Sequence, residues 1–282
     1  MGQFFSCCGS LIGNIYGGIE TFRLARAPNP AHQRARAEAA LSKLPAACGA
    51  PGLILAVDFT SSNKRNGEKT FGGRPLHQIT LSEPNLYERA IAACAPVHAL
   101  SRDRDTGVAQ CVRALRFGDI HTRDECVVRF LQGDEECANV GDVANCYRML
   151  ANDTPLSGPT SYVPTLRRSC AYVDAAEHAH ALVLLVDGAP ANLDTNTAAF
   201  VEASALPLYV VAIGVGDGPF TLLASLRDSV AARARFPNFD FVELSEVMAH
   251  ADWETRLASE LIARISAQAV AARAKNIKFT TT

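Results

Sequence analysis

Oxygen-bearing side chains stand at the ends of three segments of this sequence, and their chemistry suits a metal ion. Asp58, Thr60 and Ser62 lie in VDFTSSN, Thr160 lies in SGPTSY, and Asp187 lies in LVDGAP. Mg²⁺ is a hard cation that takes oxygen ligands and tends to keep waters, so two carboxylates with hydroxyl groups suit it, with Mn²⁺ or Ca²⁺ as alternatives. An open coordination position would accept a carboxylate from a protein partner. The competing interpretation is that these residues only close turns and cap helices.

These side chains can meet only if the surrounding elements bring the three segments to one edge of a sheet. Unbroken apolar runs predict strands buried on both faces, and longer patterns with one apolar face predict helices between them. The predicted strands are GLILAVD ending at Asp58, AQCVRALRF ending at Phe117, ALVLLVD ending at Asp187, PLYVVAIG ending at Gly214 and FDFVEL at 239–244. The predicted helices start near Asn85, Ser161 and Thr195, and a long one runs from Trp253 to Lys275. This alternation predicts a Rossmann-like α/β fold, a mostly parallel sheet flanked by helices on both faces, with ligands at the carboxyl ends of the strands.

Composition limits the classes of protein to which the chain can belong. The 282 residues are 48% hydrophobic and 20% charged, enough apolar material for one sizeable core. A net charge of -2 gives no general attraction to nucleic acid, so no nucleic-acid partner is expected. The nine cysteines lack the paired spacings of zinc ribbons or secreted disulfide frameworks and are expected to be reduced intracellular thiols. No uninterrupted apolar run has the length of a membrane-spanning helix.

The N-terminus MGQFFSCC predicts a lipid anchor. Gly2 becomes N-terminal once Met1 is removed, and Ser6 occupies the hydroxyl position of the N-myristoylation pattern. Cys7 and Cys8 offer sites for a second acyl chain, which stable anchoring requires. We therefore expect a peripheral protein, held by its acyl chains on the cytoplasmic face of a membrane, with the plasma membrane as the expected one.

Four regions follow from these features. Residues 1–20 are the predicted anchor segment, and residues 21–50 are a spacer with a short helix near 34–44. Residues 51–250 are the predicted α/β domain, and residues 251–282 are a C-terminal helix and tail.

Six motifs in a fixed order resemble a known family. They are DFTSSN, EPNLYERAI, LRFGD, SGPTSY, GVGDGPF and FPNFDFVELSEVM. Together they resemble the von Willebrand factor A domain of copines and of the plant copine-like RING ubiquitin ligases. The resemblance implies a metal-ion-dependent adhesion site with Asp58, Thr60 and Ser62 in its first loop. It implies that Thr160 is the ligand from the second loop. It also implies that Asp187, in the third loop, binds the metal directly or through water.

The resemblance implies a binding function and no catalytic activity of the domain itself. It favours a membrane-anchored, divalent-metal-dependent adaptor that binds a protein carboxylate and has no catalytic residue. Copines carry two calcium-dependent lipid-binding domains before the A domain, for which this chain has no room. The plant ligases end in a zinc-binding RING, which is not expected here because no cysteine follows Cys170. The alternative is a component of a ubiquitin-ligase assembly whose RING is supplied by another chain.

Other patterns in the sequence have simpler interpretations than a functional site. Asp119 and His121 follow the LRF strand end and are predicted only to support the metal ligands. The turn at 214–219 lacks the full spacing of a phosphate-binding loop, and a tight turn explains its glycines. His178 and His180 have no cysteine nearby, which favours surface histidines over a zinc site. Cys170, Ser161 and His121 match no nucleophile motif.

Overall fold

A six-stranded sheet forms the centre of the fold. The computed structural model describes residues 51–101, 109–133 and 135–277. The strands are β1 (Gly52–Asp58), β2 (Arg113–Phe117), β3 (Val128–Arg129), β4 (His180–Val186), β5 (Leu208–Gly214) and β6 (Phe239–Glu243). They lie in the order β3-β2-β1-β4-β5-β6, and all neighbours are parallel except β2 and β3. The predicted mostly parallel sheet is confirmed.

Eight α-helices of the described residues flank this sheet. They are α1 (Leu86–Ala93), α2 (Ala95–Leu100), α3 (Val140–Asp153), α4 (Val163–Ala176), α5 (Leu193–Ala203), α6 (Thr221–Arg233), α7 (Leu244–Met248) and α8 (Trp253–Ala274). A short 3₁₀ helix, Ser61–Lys64, follows β1. Within the same described ranges, no helix combines the length and the hydropathy that crossing a bilayer would need.

Two hydrophobic cores separate the sheet from its helix layers. Alternate residues of a strand point to opposite faces, so Leu55 of β1 enters one core and Ile54 enters the other. The first core is filled by α1, α2, α3, α7 and α8, and the second by α4, α5 and α6. Strands β1, β4 and β5 are buried along their whole lengths, which is why their sequences are unbroken apolar runs.

The structure departs from the predicted elements in several places. The run that begins at Asn85 forms two helices instead of one, because Pro96 lacks an amide donor and stands in the first turn of α2. Strand β2 begins only at Arg113, four residues after the predicted start. Helices α3, α6 and α7 and strand β3 were not predicted. The predicted spacer helix and the predicted lipidation residues Gly2, Cys7 and Cys8 lie outside the described residues.

Helix α5 begins at a side-chain cap that can be tested. The side chain of Asn192 accepts a hydrogen bond of 2.9 Å from the amide of Thr195, one of the amides that an α-helix leaves without an internal partner. We expect Asn192→Ala to lower the free energy of unfolding by about 1 kcal/mol, measured by urea denaturation. Asn192→Asp keeps the acceptor and is expected to stay close to the unsubstituted chain. Equal losses in both variants would contradict the capping role.

Candidate metal centre

Strands β1 and β4 bring the two predicted carboxylates to one edge of the sheet. Asp58 is the last residue of β1, and Asp187 directly follows β4, its parallel neighbour. Because the carboxyl ends of parallel strands meet at the same edge, the two acids converge although 129 positions separate them. Both side chains are removed from solvent, with Asp58 0% and Asp187 2% exposed. Two acids buried this deeply call for a compensating partner.

A chain of hydrogen bonds joins four of the predicted ligands. Ser62 Oγ donates to Asp187 Oδ1 at 3.0 Å and lies 3.0 Å from Thr60 Oγ1. The amide of Thr60 donates to Asp58 Oδ1 at 2.7 Å. Asp58 Oδ2, the other oxygen of that carboxylate, is buried and has no hydrogen-bond partner among the described residues. We call Asp58, Thr60, Ser62 and Asp187 the oxygen cluster; it reaches solvent at Ser62, which is exposed.

The electrostatics of the oxygen cluster disfavour two negative charges in the absence of a cation. Burial, followed by the nearby Asp187 carboxylate, raises the pKa of Asp58 well above its ordinary value. Burial also raises the pKa of Asp187 to about 6, although hydrogen bonds from Ser62 and Asn66 act in the opposite direction. A divalent cation between these acids would offset both effects. The unpartnered Asp58 Oδ2 and the hard oxygen donors fit such an ion.

Thr160, the fifth predicted ligand, is held beside the oxygen cluster by its backbone. The segment before it pairs with the loop after β1, where the amide of Ser61 donates to the carbonyl of Ser157 at 2.6 Å. The carbonyl of Thr160 accepts a hydrogen bond of 2.9 Å from the amide of Ala191, in the loop after β4. Thr160 therefore lies between the two loops, although its hydroxyl is not part of the hydrogen-bonded chain described above. Metal ligation by any of the five residues stays a prediction.

Asp119 and His121 are arranged differently from the oxygen cluster. Asp119 is fully buried, and its Oδ1 accepts hydrogen bonds from the amides of His121 at 2.8 Å and Thr122 at 3.1 Å. Its Oδ2 forms an ion pair with Arg116. The His121 side chain is exposed. The hydrogen bonds of Asp119 thus hold the turn after β2, and the predicted supporting role of both residues toward a metal is untested.

Sequence reasoning missed two residues that hold the carboxylates in place. Asn66 Nδ2 donates to Asp187 Oδ2 at 2.9 Å, whereas Ser62 donates to the other oxygen of this carboxylate. His77 Nε2 donates to the carbonyl of Asp58 at 2.8 Å, and its Nδ1 accepts from the Tyr147 hydroxyl at 2.8 Å. Its ring is stacked between Phe59 and Tyr87, with centroids 4.5 Å and 4.3 Å away. Neither residue belongs to a ligand motif, so the spacing of residues in the sequence did not indicate that they contact the two aspartates.

Comparison with known proteins identifies the family of this chain. A model of the copine family matches residues 75–280 of the 282. The chain belongs to the copine family. The match includes Thr160 and Asp187, whereas Asp58, Thr60 and Ser62 precede it.

Curated relatives of this copine-family chain include ubiquitin ligases and copines. E3 ubiquitin-protein ligase RGLG2 of Arabidopsis thaliana is 35% identical over 210 residues, covering 70% of this chain and 43% of the relative. Copine family protein 1 of Caenorhabditis elegans is 32% identical over 200 residues, covering 70% of this chain and 17% of the relative. The chain thus spans less than half the length of either relative.

Solved structures resemble the copine-family chain only in fold. The manganese-loaded TRAP protein of Plasmodium vivax has a TM-score of 0.49 and 16% identity, covering 76% of this chain and 74% of that chain. Proximal thread matrix protein 1 from the mussel byssus, with a zinc-occupied MIDAS motif, has a TM-score of 0.42 and 16% identity, covering 75% and 46%.

Gly118 lets the turn after β2 approach the oxygen cluster. It has a φ of +81°, and a Cβ there would lie 2.4 Å from Thr60 Cγ2 and 3.2 Å from Asp58 Oδ1. We expect Gly118→Ala to lower the free energy of unfolding by about 1.5 kcal/mol and to displace Thr60. The measurements are urea denaturation and calorimetric titration with Mn²⁺, in which the affinity should fall.

Gly133 supplies the matched control for this substitution. It also has a positive φ, of +67°, but a Cβ there would have no neighbour within 4 Å among the residues that the structure describes. Gly133→Ala is therefore expected to be destabilised while its affinity for Mn²⁺ is unchanged. A loss of affinity in the Gly133 variant would show that backbone strain, and not contact with Thr60, is responsible.

Proposed function

We propose that this copine-family chain is a divalent-metal-dependent protein-binding domain that uses Mg²⁺, with Mn²⁺ or Ca²⁺ as alternatives. The observation that carries the proposal is Asp58 Oδ2, a buried carboxylate oxygen without a hydrogen-bond partner among the described residues, beside a second buried carboxylate. Unpartnered buried oxygens of this kind are costly unless a cation or a donor completes them. The open edge at Ser62 gives an ion a route to them.

The proposed ligands are Asp58, Thr60, Ser62, Thr160 and Asp187, the last directly or through water. A cation held there would supply a positive centre to which a carboxylate oxygen of a protein partner could bind. The residues of the chain would hold the ion and keep its protein ligands ionised. The proposed role is adhesion to a partner, and we assign no catalytic residue.

Calorimetric titration of Mg²⁺, Mn²⁺ and Ca²⁺ into the purified chain tests the proposal. We expect binding of one ion per chain and its loss when Asp58 or Asp187 is replaced by alanine, with folding verified by circular dichroism. Asp228→Asn is the matched control, because Asp228 is an exposed acid on α6, outside the oxygen cluster. Absence of binding to the unsubstituted chain would refute the metal-dependent function.

We also propose that acyl chains on Gly2, Cys7 and Cys8 hold the chain on the cytoplasmic face of a membrane, with the plasma membrane as the expected one. The N-terminal sequence supports this proposal, because it combines an acylation pattern with two adjacent cysteines. Gly2→Ala, and replacement of Cys7 and Cys8 by serine, should move the protein from the membrane fraction to the supernatant. Retention of both variants in the membrane fraction would refute the anchor.

A second candidate function is participation in a ubiquitin-ligase assembly. It is favoured by relatives that are named E3 ubiquitin-protein ligases, of which this chain matches only a part. In that case the chain would bind the target or the membrane, and a RING on another chain would recruit the conjugating enzyme. A ubiquitination assay with this chain as the sole ligase component separates the candidates, because ubiquitin-chain formation would contradict the non-enzymatic role.

A further inference from the structure

One acid in the turn after β5 holds both ends of the segment that follows the 3₁₀ helix. Asp217 Oδ1 accepts hydrogen bonds from the amide of Thr70 at 2.8 Å and from its hydroxyl at 2.6 Å, and Oδ2 accepts from the amide of Lys69 at 2.9 Å. The amide of Asp217 donates to the carbonyl of Asn66 at 2.8 Å. We call residues 66–70 the clamped segment. Among the residues that the structure describes, the hydrogen-bonded connection from Asp217 to the oxygen cluster passes through this segment.

Asn66 connects the clamped segment to a proposed metal ligand. Its side-chain Nδ2 donates to Asp187 Oδ2 at 2.9 Å and to the carbonyl oxygen of Asp187 at 3.2 Å. Its own amide donates to the carbonyl of Ser62 at 3.2 Å. The backbone of Asn66 is therefore fixed on both sides, at its amide by Ser62 and at its carbonyl by Asp217. Its side chain is thereby directed at Asp187.

The turn after β5 lies closely against Asn66 because residue 216 is a glycine. A Cβ at Gly216 would lie 2.3 Å from the carbonyl oxygen of Asn66 and 2.8 Å from Leu76 Cδ1. The backbone of the turn therefore contacts the backbone of Asn66 with no side chain between them. Gly216, which a tight turn alone explained in the sequence, thus also permits this approach.

We propose that Asp217 is a positioning residue of the metal site: acting through Asn66, it fixes the Asp187 carboxylate in the orientation that binds the ion. This inference rests on the proposed metal-binding function and adds to it a residue outside the oxygen cluster. The bond that joins a carboxylate to its side chain has a broad rotational preference, so a carboxylate without such contacts samples many orientations. Holding the carboxylate in place before the ion binds reduces the entropy that is lost on binding.

Binding of Mg²⁺ should depend on this orientation more strongly than binding of Ca²⁺. Mg²⁺ demands near-ideal octahedral geometry, whereas Ca²⁺ accepts flexible arrangements of oxygen ligands. Loss of the Asp217 side chain should therefore weaken Mg²⁺ binding more than Ca²⁺ binding. A residue that only stabilised the fold would affect the two ions alike, so the ratio of the two affinities reports positioning.

Calorimetric titration of Mg²⁺ and Ca²⁺ into the full chain carrying Asp217→Ala tests the proposal, with folding verified by circular dichroism. We expect the Mg²⁺ affinity to fall about tenfold, as is usual when a group that orients a metal ligand is lost, and the Ca²⁺ affinity to fall less. Asp217→Asn keeps an oxygen that accepts from Thr70 and should recover most of the Mg²⁺ affinity. An unchanged Mg²⁺ affinity in Asp217→Ala, or equal losses for both ions, would overturn the proposal.

Glu68→Ala is the matched control for the loss of a negative charge near the ion. Glu68 lies in the clamped segment and is exposed, and its side chain has no hydrogen bond or ion pair among the described residues. The substitution removes the same charge as Asp217→Ala but no contact, so the Mg²⁺ affinity should stay close to that of the unsubstituted chain. Equal losses in Glu68→Ala and Asp217→Ala would assign the effect to charge and contradict positioning.

Combined variants test the connection through Asn66. If Asp217 acts through Asn66, the double variant Asn66→Ala/Asp217→Ala should bind Mg²⁺ no more weakly than Asn66→Ala alone. Additive losses would show that Asp217 acts by another route and would overturn the proposal. If Asp217→Ala does not fold, Thr70→Val removes only the hydroxyl that donates to Asp217 and should give the same pattern with smaller losses.

A measurement without metal separates failure of this inference from failure of the metal-binding function. Nuclear magnetic resonance of the metal-free chain follows hydrogen exchange of the Asn66 side-chain amide, which should be faster in Asp217→Ala and unchanged in Glu68→Ala. Faster exchange at Lys69 and Thr70 with no change at Asn66 would show that Asp217 orders only its own contacts, and would refute this inference alone. Absence of ion binding to the unsubstituted chain would refute the metal-binding function and this inference together.

Discussion

Asp187→Asn is expected to weaken Mg²⁺ binding about 100-fold or more while it stabilises the metal-free chain. Loss of a charged ligand lowers the affinity of an oxygen site strongly, and 100-fold corresponds to about 2.7 kcal/mol. The amide can preserve the local hydrogen bonds: its oxygen accepts from Asn66, and its nitrogen donates to Ser62, whose hydroxyl turns toward Thr60. The substitution thus removes a charge with little change of shape.

The gain in stability follows from the pKa of Asp187. Burial raises this pKa from 3.8 to about 6, so above pH 6 the ionised carboxylate costs the folded chain up to about 3 kcal/mol. At pH 7.5 without metal, we expect Asp187→Asn to have a higher free energy of unfolding than the unsubstituted chain, because it recovers much of this cost. At saturating Mg²⁺, its free energy of unfolding should be lower than that of the unsubstituted chain. Urea denaturation with Mg²⁺ or with a chelator measures both. An Asp187→Asn variant that matched the unsubstituted chain in Mg²⁺ affinity would exclude Asp187 from the site.

Acid is expected to destabilise the chain through His180, at the opposite end of β4 from Asp187. His180 is fully buried, so the prediction of a surface histidine is wrong for this residue. Its Nδ1 donates to the carbonyl of His178 at 3.0 Å, and its Nε2 accepts from Arg113 at 3.0 Å. Burial, followed by the Arg113 charge, lowers its pKa from 6.5 to about 3. The hydrogen bond from Arg113 requires an unprotonated Nε2, so the folded chain resists the proton that the unfolded chain accepts.

The sign and size of this effect follow from proton linkage. A histidine with a lowered folded-state pKa contributes stability that is present above pH 6.5 and is lost as the pH falls toward 3. Between pH 8 and pH 5 the loss is about 2 kcal/mol. The raised pKa of Asp187 acts in the opposite direction over part of this range, so the contribution of His180 must be measured as a difference between variants.

His180→Gln isolates that difference. Its free energy of unfolding should fall about 2 kcal/mol less than that of the unsubstituted chain between pH 8 and pH 5, whatever its stability at pH 8. His250→Gln, at an exposed histidine, is the control and should follow the unsubstituted chain. Parallel curves for all three proteins would show that His180 does not resist protonation. Urea denaturation at intervals of half a pH unit provides the comparison.

Burial on both faces made the central strands predictable from sequence. The runs that form β1, β4 and β5 were located to within one or two residues, because every position in them is buried and nearly all are apolar. Helices α3 and α6 were missed because each buries only three residues and carries a mostly polar or small-residue surface. Strand β3 has two residues, too few for any periodicity to be read.

Strand order made one part of the candidate site predictable, whereas contacts made by loops could not be predicted. Asp58 and Asp187 follow strands, and parallel strands bring their ends together, so the meeting of the two acids could be predicted from the fold. Asn66 contacts Asp187 across 121 positions, and His77 reaches Asp58 through a stack of aromatic rings. These contacts depend on how the loop after the 3₁₀ helix folds back, which no local pattern encodes.

Main-chain hydrogen bonds already join the loops around the oxygen cluster. Ser61 is bonded to Ser157, Ala191 to Thr160, and Asp217 to Asn66. The loops are therefore already ordered before an ion binds. The conformational entropy lost in ordering them is part of the free energy of folding and does not reduce the affinity for the ion. The speed of ion exchange should then be set by how fast the hydrated ion sheds water. Because Mg²⁺ gives up its waters reluctantly, Ca²⁺ should enter and leave this edge of the sheet faster than Mg²⁺ does.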